Sequence, residues 1–370
     1  MNKKILLFAN SDSNYVHFRL NLIKKLLKRN YKVYLIVSKD SKFADIINNN
    51  LILIKLNLSR HSINFFSEIK LFIQIFFIYK KIRPIYALHF TIKPNIYGSI
   101  ISRLFHIKSI NNITGLGNIF LSKSHFRFLY ITLYKLSIKK SYHTFFQNKS
   151  DLRYFRYKKI IDSKKNNFSI IPGSGIDLNK FQFEKYTDMP NLKFLFIGRL
   201  IKQKGIIEFI EAAKYITSKF NNTKFVIAGD FDKDNNSSID LDYFKNAIKK
   251  NYIEYLGYIN PIDKIIKSSH VVILPSYREG LSHSLLISAA LGRPLIASNT
   301  PGCKELIIEG FNGYLVKPRN YSSLIDKILE FIDQTQEKKI TMGKNSRMLI
   351  EEKFSEIIVI DQYLNYINKR

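Results

Sequence analysis

Cysteine occurs once in the 370 residues, at Cys303, so no disulfide can close within the chain, and that usage agrees with a reducing, cytoplasmic setting. Long apolar runs are missing too. The longest uncharged one, Leu71 to Tyr79, falls far short of the roughly 20 residues a membrane-spanning helix needs, and no such helix is expected. Met1 to Lys4 followed by the apolar Ile5 to Ala9 has the outline of a short signal peptide, but the run is brief and strand-like and lacks a small-residue cleavage site; a first β-strand is expected there. No stretch is rich enough in Gly, Ser and Pro to form a disordered linker, and no short repeat recurs. The histidines His61, His106, His125, His143, His270 and His283 show no metal-ligand spacing with one another or with Cys303, so no structural zinc is expected. Acidic residues are scarce, 29 Asp and Glu against 59 Lys and Arg. A surplus of 30 positive charges points to an anionic partner such as nucleic acid, membrane headgroups or phosphorylated substrates; compositional drift in a chain crowded with Asn, Ile, Phe and Tyr is the alternative. The basic residues are dispersed and no nucleic-acid-binding module is present, which argues against nucleic acid.

What is present is an alternation. The length fits two domains of roughly 150 to 200 residues. Apolar runs at 4–9, 32–37, 51–56, 85–89, 108–113 and 143–147 alternate with helical periodicity at 16–29, 65–82, 95–105 and 126–140, the βαβ order of a parallel sheet. After 185–191 the alternation restarts, with strands at 192–197, 223–228, 253–255, 270–274 and 294–297 and helices at 205–218, 239–250, 261–267 and 284–291. A final helical stretch covers 355–369. The expected fold is α/β, two doubly wound, Rossmann-like lobes: 1–184, a linker 185–191, 192–354, and a terminal helix 355–370 that packs on either lobe.

In doubly wound sheets ligands bind beyond the carboxyl ends of the strands. After the expected strand 192–197 comes Gly198-Arg199, then Lys204-Gly205, two cations around a strand-to-helix turn. Arginine forks onto two oxygens and lysine adds a mobile point charge, which suits a diphosphate; an exposed basic turn in a basic protein is the other reading. After 270–274 comes Pro275-Ser276-Tyr277-Arg278-Glu279-Gly280-Leu281-Ser282-His283-Ser284. Glu279 suits sugar hydroxyls, and the backbone N–H groups of Gly280 to Ser282 suit a phosphate oxygen; alternatively Glu279 pairs with Arg278 at the surface. Asp230-Phe231-Asp232 is the nearest approach to a metal-binding Asp-x-Asp after a strand, and no metal is expected there.

These two stretches resemble the C-terminal lobe of family 4 glycosyltransferases of the GT-B fold, retaining enzymes that use nucleotide sugars. In the first half, Thr91-Ile92-Lys93-Pro94-Asn95-Ile96-Tyr97-Gly98, Thr114-Gly115-Leu116-Gly117 and Phe146-Gln147-Asn148 look like segments of members that extend bacterial surface glycans on an undecaprenyl-diphosphate carrier, as does Pro172-Gly173-Ser174-Gly175-Ile176-Asp177. The resemblance implies two lobes facing a central cleft and a retaining hexosyltransferase. It also implies a nucleotide-sugar donor, UDP-linked, as substrate rather than cofactor, and a polyprenyl-diphosphate-linked saccharide as acceptor. Arg199 and Lys204 would hold the donor diphosphate and Glu279 the transferred sugar, with Gly198, Gly280, Leu281 and Ser282 around the donor. The family's second glutamate, a ribose ligand, falls on Ile287, which accepts no hydrogen bond; Ser288 or a nearby carbonyl is the candidate replacement. That departure keeps a weakened or non-catalytic relative, or a sugar-nucleotide epimerase of the same fold, in view. The glycine-free loop Asn10 to Arg19 carries the aromatic-x-His-Phe-Arg run of the lipid-carrier group, which places His17 and Arg19 on the acceptor side with Lys93, Thr114 and Gly115. Ordinary first-turn helix residues are the alternative for His17 and Arg19. His89 ends a strand, a position open to a site or to a buried polar role. The stretches 65–81 and 125–140 mix aromatic, aliphatic and basic residues as interfacial helices do, though core packing produces the same pattern. Peripheral association with an anionic membrane, at the inner face of the plasma membrane, is the expected location.

Overall fold

A computed structural model describes residues 3–39, 41, 43, 48–56, 65–116, 126–162, 167–185, 191–232 and 237–368. Gly117, His61, His125 and linker residues 186–190 lie outside this set. The first half runs β1 (Lys4–Phe8), α1 (Ser13–Phe18), α2 (Leu20–Lys28), β2 (Lys32–Ser38), β3 (Leu51–Leu56), α3 (Phe65–Ile82), β4 (Tyr86–Phe90), α4 (Ser99–Leu104), β5 (Lys108–Ile113), α5 (Phe126–Ile138), β6 (His143–Phe146), α6 (Lys149–Tyr157) and β7 (Phe168–Ile170). The second runs β8 (Leu192–Ile197), α7 (Ile206–Thr217), β9 (Thr223–Ala228), α8 (Leu241–Lys249), β10 (Glu254–Tyr255), α9 (Asp263–Lys267), β11 (Val271–Leu274), α10 (His283–Ala290), β12 (Leu295–Ser298), β13 (Gly313–Val316), α11 (Tyr321–Ile332), α12 (Gln336–Lys353) and α13 (Glu356–Asn368).

Among the described residues, seven strands pair in the order β3-β2-β1-β4-β5-β6-β7 and six in the order β10-β9-β8-β11-β12-β13. The strand pairs are parallel. Both sheets are doubly wound, and the direction of winding reverses between β1 and β4 in one and between β8 and β11 in the other. The central strands β4, β11 and β12 are buried throughout, which is why they read as apolar runs broken only by His89 and Ser298.

The chain divides into two compact units, 1–174 with 359–370, and 175–358. Residues 175–184, expected with the first lobe, therefore group with the second. Ile176 donates its N–H to Phe354 O (2.9 Å) and accepts from the Glu356 N–H (3.0 Å), and it is buried in that unit's core. Arg347 and Arg293 then hold the Phe181 and Glu184 carbonyls, each at 2.7 Å. From Val359 onward α13 belongs to the first unit, where Val359, Tyr363, Leu364 and Ile367 are buried and Tyr366 stacks on His143.

The expected helix 16–29 is two helices, α1 and α2, because Arg19 leaves helical geometry at φ −134° and ψ 1°. The expected helix 95–105 opens with a π-helical turn, Pro94–Gly98, before α4 begins. The elements at 149–157, 168–170, 313–316, 321–332 and 336–353 had no counterpart in the expectation. Three of them begin with side-chain caps: Asn148 accepts from the Asp151 N–H at 2.8 Å, Asn320 from the Ser323 N–H at 2.7 Å, and Thr335 from the Lys338 N–H at 3.2 Å.

Candidate donor site in the second unit

The chemistry-bearing loops of this unit follow β8 and β11, the neighbouring strands at which the winding reverses. Residues 75 apart in sequence meet as a result: Lys204 Nζ donates to Glu279 Oε1 at 2.6 Å, with both side chains largely shielded. Ser276, itself buried, donates its hydroxyl to the same carboxylate oxygen at 2.8 Å. The alternative pairing of Glu279 with Arg278 is thus replaced by one with Lys204. Arg199 stays mostly exposed and pairs with Asp232, so the Asp-x-Asp segment serves as an arginine partner.

Backbone conformation fixes this geometry at two glycines. Gly205 sits at φ +76° before α7, and a Cβ there would lie 2.1 Å from Pro275 O. Gly302 sits at φ +83°, and its Cβ would meet Glu279 atoms at 2.5 Å. Both positions bring backbone against the Glu279 loop, and only glycine allows the approach. That loop is further stitched down: the Tyr277 N–H donates to Gln203 O (2.8 Å), the Glu279 N–H to Pro301 O (2.9 Å) and the Ser282 N–H to Gly302 O (2.8 Å). The Tyr277 hydroxyl donates to Glu208 Oε1 at 2.7 Å. The Ser282 N–H, expected to reach a phosphate, is therefore committed to a carbonyl, while the Ser282 side chain caps α10 by accepting from the Leu285 N–H. Gly280 and Leu281 are half-buried between these anchors. Cys303 is buried beneath; burial, with the Glu279 carboxylate nearby, pushes its thiol well above the usual range.

Beside Arg199 opens a cavity of about 370 Å³ lined by Ile197, Gly198, Arg199, Ala228, Gly229, Asp230, Tyr258, Ile259, Ile262, Ile266, His283, Ser284 and Ile287. Arg199 contributes a cation to this lining, and five isoleucines make much of it apolar. Ile287 faces this cavity, whereas Ser288, the expected substitute for a missing acceptor, is fully buried and donates to Ser284 O at 2.7 Å along its own helix. Ser288 therefore does not replace the glutamate.

In the first unit, His17, Lys93, Thr114 and Gly115 follow β1, β4 and β5 at the carboxyl edge of the sheet. His17 is exposed, and Lys93 Nζ pairs with Glu68 Oε1 at 2.6 Å, with the Tyr97 hydroxyl on the other oxygen. Thr114 and Gly115 are half-exposed. Arg19 departs from the expected acceptor role: it is 2% exposed, its guanidinium 4.6 Å from the Phe90 ring centroid and 5.8 Å from that of Tyr363, a buried cation held by aromatic faces. The glycine-free loop after β1 is closed by side chains. The Tyr15 hydroxyl takes the Ala9 N–H and donates to Ile36 O, and the Asp12 carboxylate accepts from the Ser38 N–H and hydroxyl. His89 is a core group. Its Nδ1 lies 2.8 Å from Asn111 Oδ1, which only accepts, so Nδ1 carries the proton and Nε2 takes the Tyr79 hydroxyl at 2.9 Å. Burial lowers its pKa to about 4 against the opposing Asn111 bond. Gly98 is where this packing demands a missing side chain, since a Cβ would lie 2.4 Å from His89 Nε2.

The two doubly wound units, the second with Arg199, Lys204 and Glu279 on the loops at its switch point, have the architecture expected of the GT-B fold. Residues 178–348 match the family described as glycosyl transferases group 1, and 4–148 the one described as glycosyl transferase 4-like. The chain is 27% identical, over 99% of its length and 98% of the relative's, to the N,N'-diacetylbacillosaminyl-diphospho-undecaprenol alpha-1,3-N-acetylgalactosaminyltransferase of Campylobacter jejuni. It is 33% identical, over 48% of its length and 50% of the relative's, to the Escherichia coli UDP-Gal:alpha-D-GlcNAc-diphosphoundecaprenol alpha-1,3-galactosyltransferase. Its fold is shared with a sucrose-phosphate synthase from Thermosynechococcus elongatus, with a TM-score of 0.83 at 17% identity over 99% of this chain and 98% of that one. The chain belongs to the family 4 glycosyltransferases.

Proposed function

We propose that the protein transfers a hexosyl residue, with retention, from a UDP-linked donor in the second unit to a polyprenyl-diphosphate-linked saccharide during surface glycan synthesis. The observation that carries this is the Lys204–Glu279 contact of 2.6 Å at the switch point, beside an apolar cavity rimmed by Arg199. A diphosphate is matched by Arg199 and Lys204, each charge-assisted bond contributing about 1.5–3 kcal/mol. Its arrival draws Lys204 from Glu279, whose freed oxygen accepts from a sugar hydroxyl. The isoleucine-lined interior suits a nucleobase. As the C1–oxygen bond to the diphosphate breaks, negative charge grows where the two cations stand, and their positions are fixed beforehand. The bond from C1 to the acceptor oxygen forms as the acceptor proton passes to the departing phosphate oxygen. With two cations facing the leaving group, the site is read as working without a metal ion. Relatives named for diphosphoundecaprenol-linked sugars, UDP-Gal and alpha-1,3 linkages support the acceptor, the donor and retention.

The acceptor side is read as His17, Lys93, Thr114 and Gly115, and the lipid carrier as drawing the first unit onto an anionic membrane at its cytoplasmic face. Among the described residues, no helix is long and apolar enough to cross a membrane. Instead α4 packs against both α3 and α5, and all three leave apolar side chains outside. Phe66, Ile69, Ile73 and Phe77 form one stripe of α3, opposite the buried Leu71, Ile75 and Tyr79. Leu104 extends it on α4, and Phe128, Leu129 and Leu136 on α5. Phe66 and Phe128 are each 78% exposed. Exposed Lys70, Lys80, Lys81, Arg103, Lys135, Lys139 and Lys140 on or beside these helices complement anionic headgroups.

The deciding assay incubates the full chain with a panel of nucleotide sugars and a short-chain polyprenyl-diphosphate saccharide, followed by mass spectrometry. A product heavier by one sugar residue is expected. Conversion of a nucleotide sugar without acceptor identifies an epimerase instead, and no conversion with any donor overturns the assignment.

A further inference from the structure

The cavity beside Arg199 also bears on which nucleoside the site selects, an inference that rests on the donor-site reading above. Three positions of α10 line it: Ile287, with Ser284 and His283 three and four residues before it toward the same helix face. A nucleoside diphosphate with its phosphates at Arg199 and its base among the isoleucines lays its ribose between them, against this face. Doubly wound sheets that select ribonucleotides direct an Asp or Glu at the ribose hydroxyls, and a carboxylate takes both hydrogens of the vicinal diol. Here the innermost of the three is Ile287, 6% exposed, with no acceptor atom. Ser288 donates its hydroxyl to Ser284 O. Among the cavity-lining residues the one carboxylate is Asp230, exposed, with Oδ1 taking the Phe231 N–H at 2.8 Å. A site built to bind a hydroxyl rejects the analogue lacking it by about 10⁴-fold or more, whereas an apolar wall separates the two far less, by about 10²-fold at most.

We propose that Ile287 makes the donor site indifferent to the 2′-hydroxyl, so that sugars carried on 2′-deoxyribonucleoside diphosphates, thymidine diphosphate among them, are bound as readily as those on UDP. Calorimetric titration of the full chain with UDP, 2′-deoxy-UDP and dTDP tests this; 2′-deoxy-UDP isolates the hydroxyl from the thymine methyl. UDP and 2′-deoxy-UDP are expected to bind with Kd values within about threefold, and Ile287→Glu to favour UDP by about tenfold or more. A wild-type preference for UDP of tenfold or more overturns the inference and leaves the donor site standing. An indifferent wild type whose Ile287→Glu and Ile287→Gln variants, folded by circular dichroism, stay indifferent overturns the role of Ile287. Binding of none of the three nucleotides overturns the donor-site reading along with it. Should the variants fail to fold, the wild-type ratio alone decides.

Discussion

Lys204→Ala separates what the Lys204–Glu279 contact does for the fold from what it does for catalysis. The lysine and glutamate side chains are 23% and 13% exposed, between a surface pair, worth about 0–1 kcal/mol, and a buried one, whose breaking costs about 3–5 kcal/mol. Glu279 keeps the Ser276 hydroxyl at 2.8 Å after the lysine is gone, so the carboxylate is not stranded. The expected stability loss is therefore about 1–2 kcal/mol, a Tm decrease of a few degrees for a unit of this size. The catalytic loss is larger. One charge-assisted contact to a diphosphate that gains charge in the transition state is worth about 1.5–3 kcal/mol, or about 10- to 150-fold in kcat/KM, expressed mainly in kcat. Lys204→Arg keeps the charge but not the compact ammonium and is expected to recover only part of the loss. Initial rates with the lipid-linked acceptor, measured beside thermal unfolding, give both numbers. A kcat/KM within threefold of the wild type, in a variant with a near-native Tm, would refute the role given to Lys204.

His89 is neutral in the fold, its pKa lowered by burial to about 4 from an ordinary 6.5. The unfolded chain therefore binds the proton first on acidification, so stability present at pH 7 is lost as pH falls through that window, on the order of 2 kcal/mol at pH 4.5. Urea unfolding at the two pH values should show a smaller acid loss for His89→Gln; equal losses would contradict the assignment. Gly205→Ala forces a left-handed residue and sets a Cβ 2.1 Å from Pro275 O, so a destabilisation of about 2 kcal/mol or more is expected by denaturant titration. Replacing Phe66, Phe77 and Phe128 with serine should reduce co-sedimentation with phosphatidylglycerol vesicles about tenfold or more while leaving turnover of a water-soluble acceptor analogue intact; undiminished vesicle binding counts against the docking face.

The strands were legible because a strand buried on both faces is largely apolar, as β11 is throughout and as β4 and β12 are apart from the buried His89 and Ser298. Helix α12 was not, because it buries Lys339, Gly343 and Ser346 as well as aliphatic residues. Lys339 Nζ reaches back to Ile332 O at 2.9 Å, and Gly343 admits the Gly292 carbonyl where a Cβ would lie 2.3 Å away. Such contacts are set by the partner and leave no apolar period behind. The break at Arg19 is of the same kind: its cause is the stack on Phe90 and Tyr363, the latter near the far end of the chain. Lys204 and Glu279 were legible because topology alone brings the loops after β8 and β11 together, whereas Asp232 as the partner of Arg199 was not, its segment resembling a metal motif.

Ile287 shows how the two kinds of information divide. A residue type reveals a missing acceptor, but only coordinates reveal whether a neighbour supplies another. Ser288 lies one position on, which turns it about 100° around α10, away from the cavity, and its hydroxyl goes to the turn behind it. A helix cannot replace a lost side chain with the next one along; the substitute must stand at i±3 or i±4. Those positions on the cavity face are His283 and Ser284, both nearer the Glu279 loop. The change at position 287 therefore leaves the diphosphate and sugar contacts proposed for Arg199, Lys204 and Glu279 untouched and falls on the proposed nucleoside subsite alone, so that its consequence is sought in donor selection before it is sought in loss of catalysis.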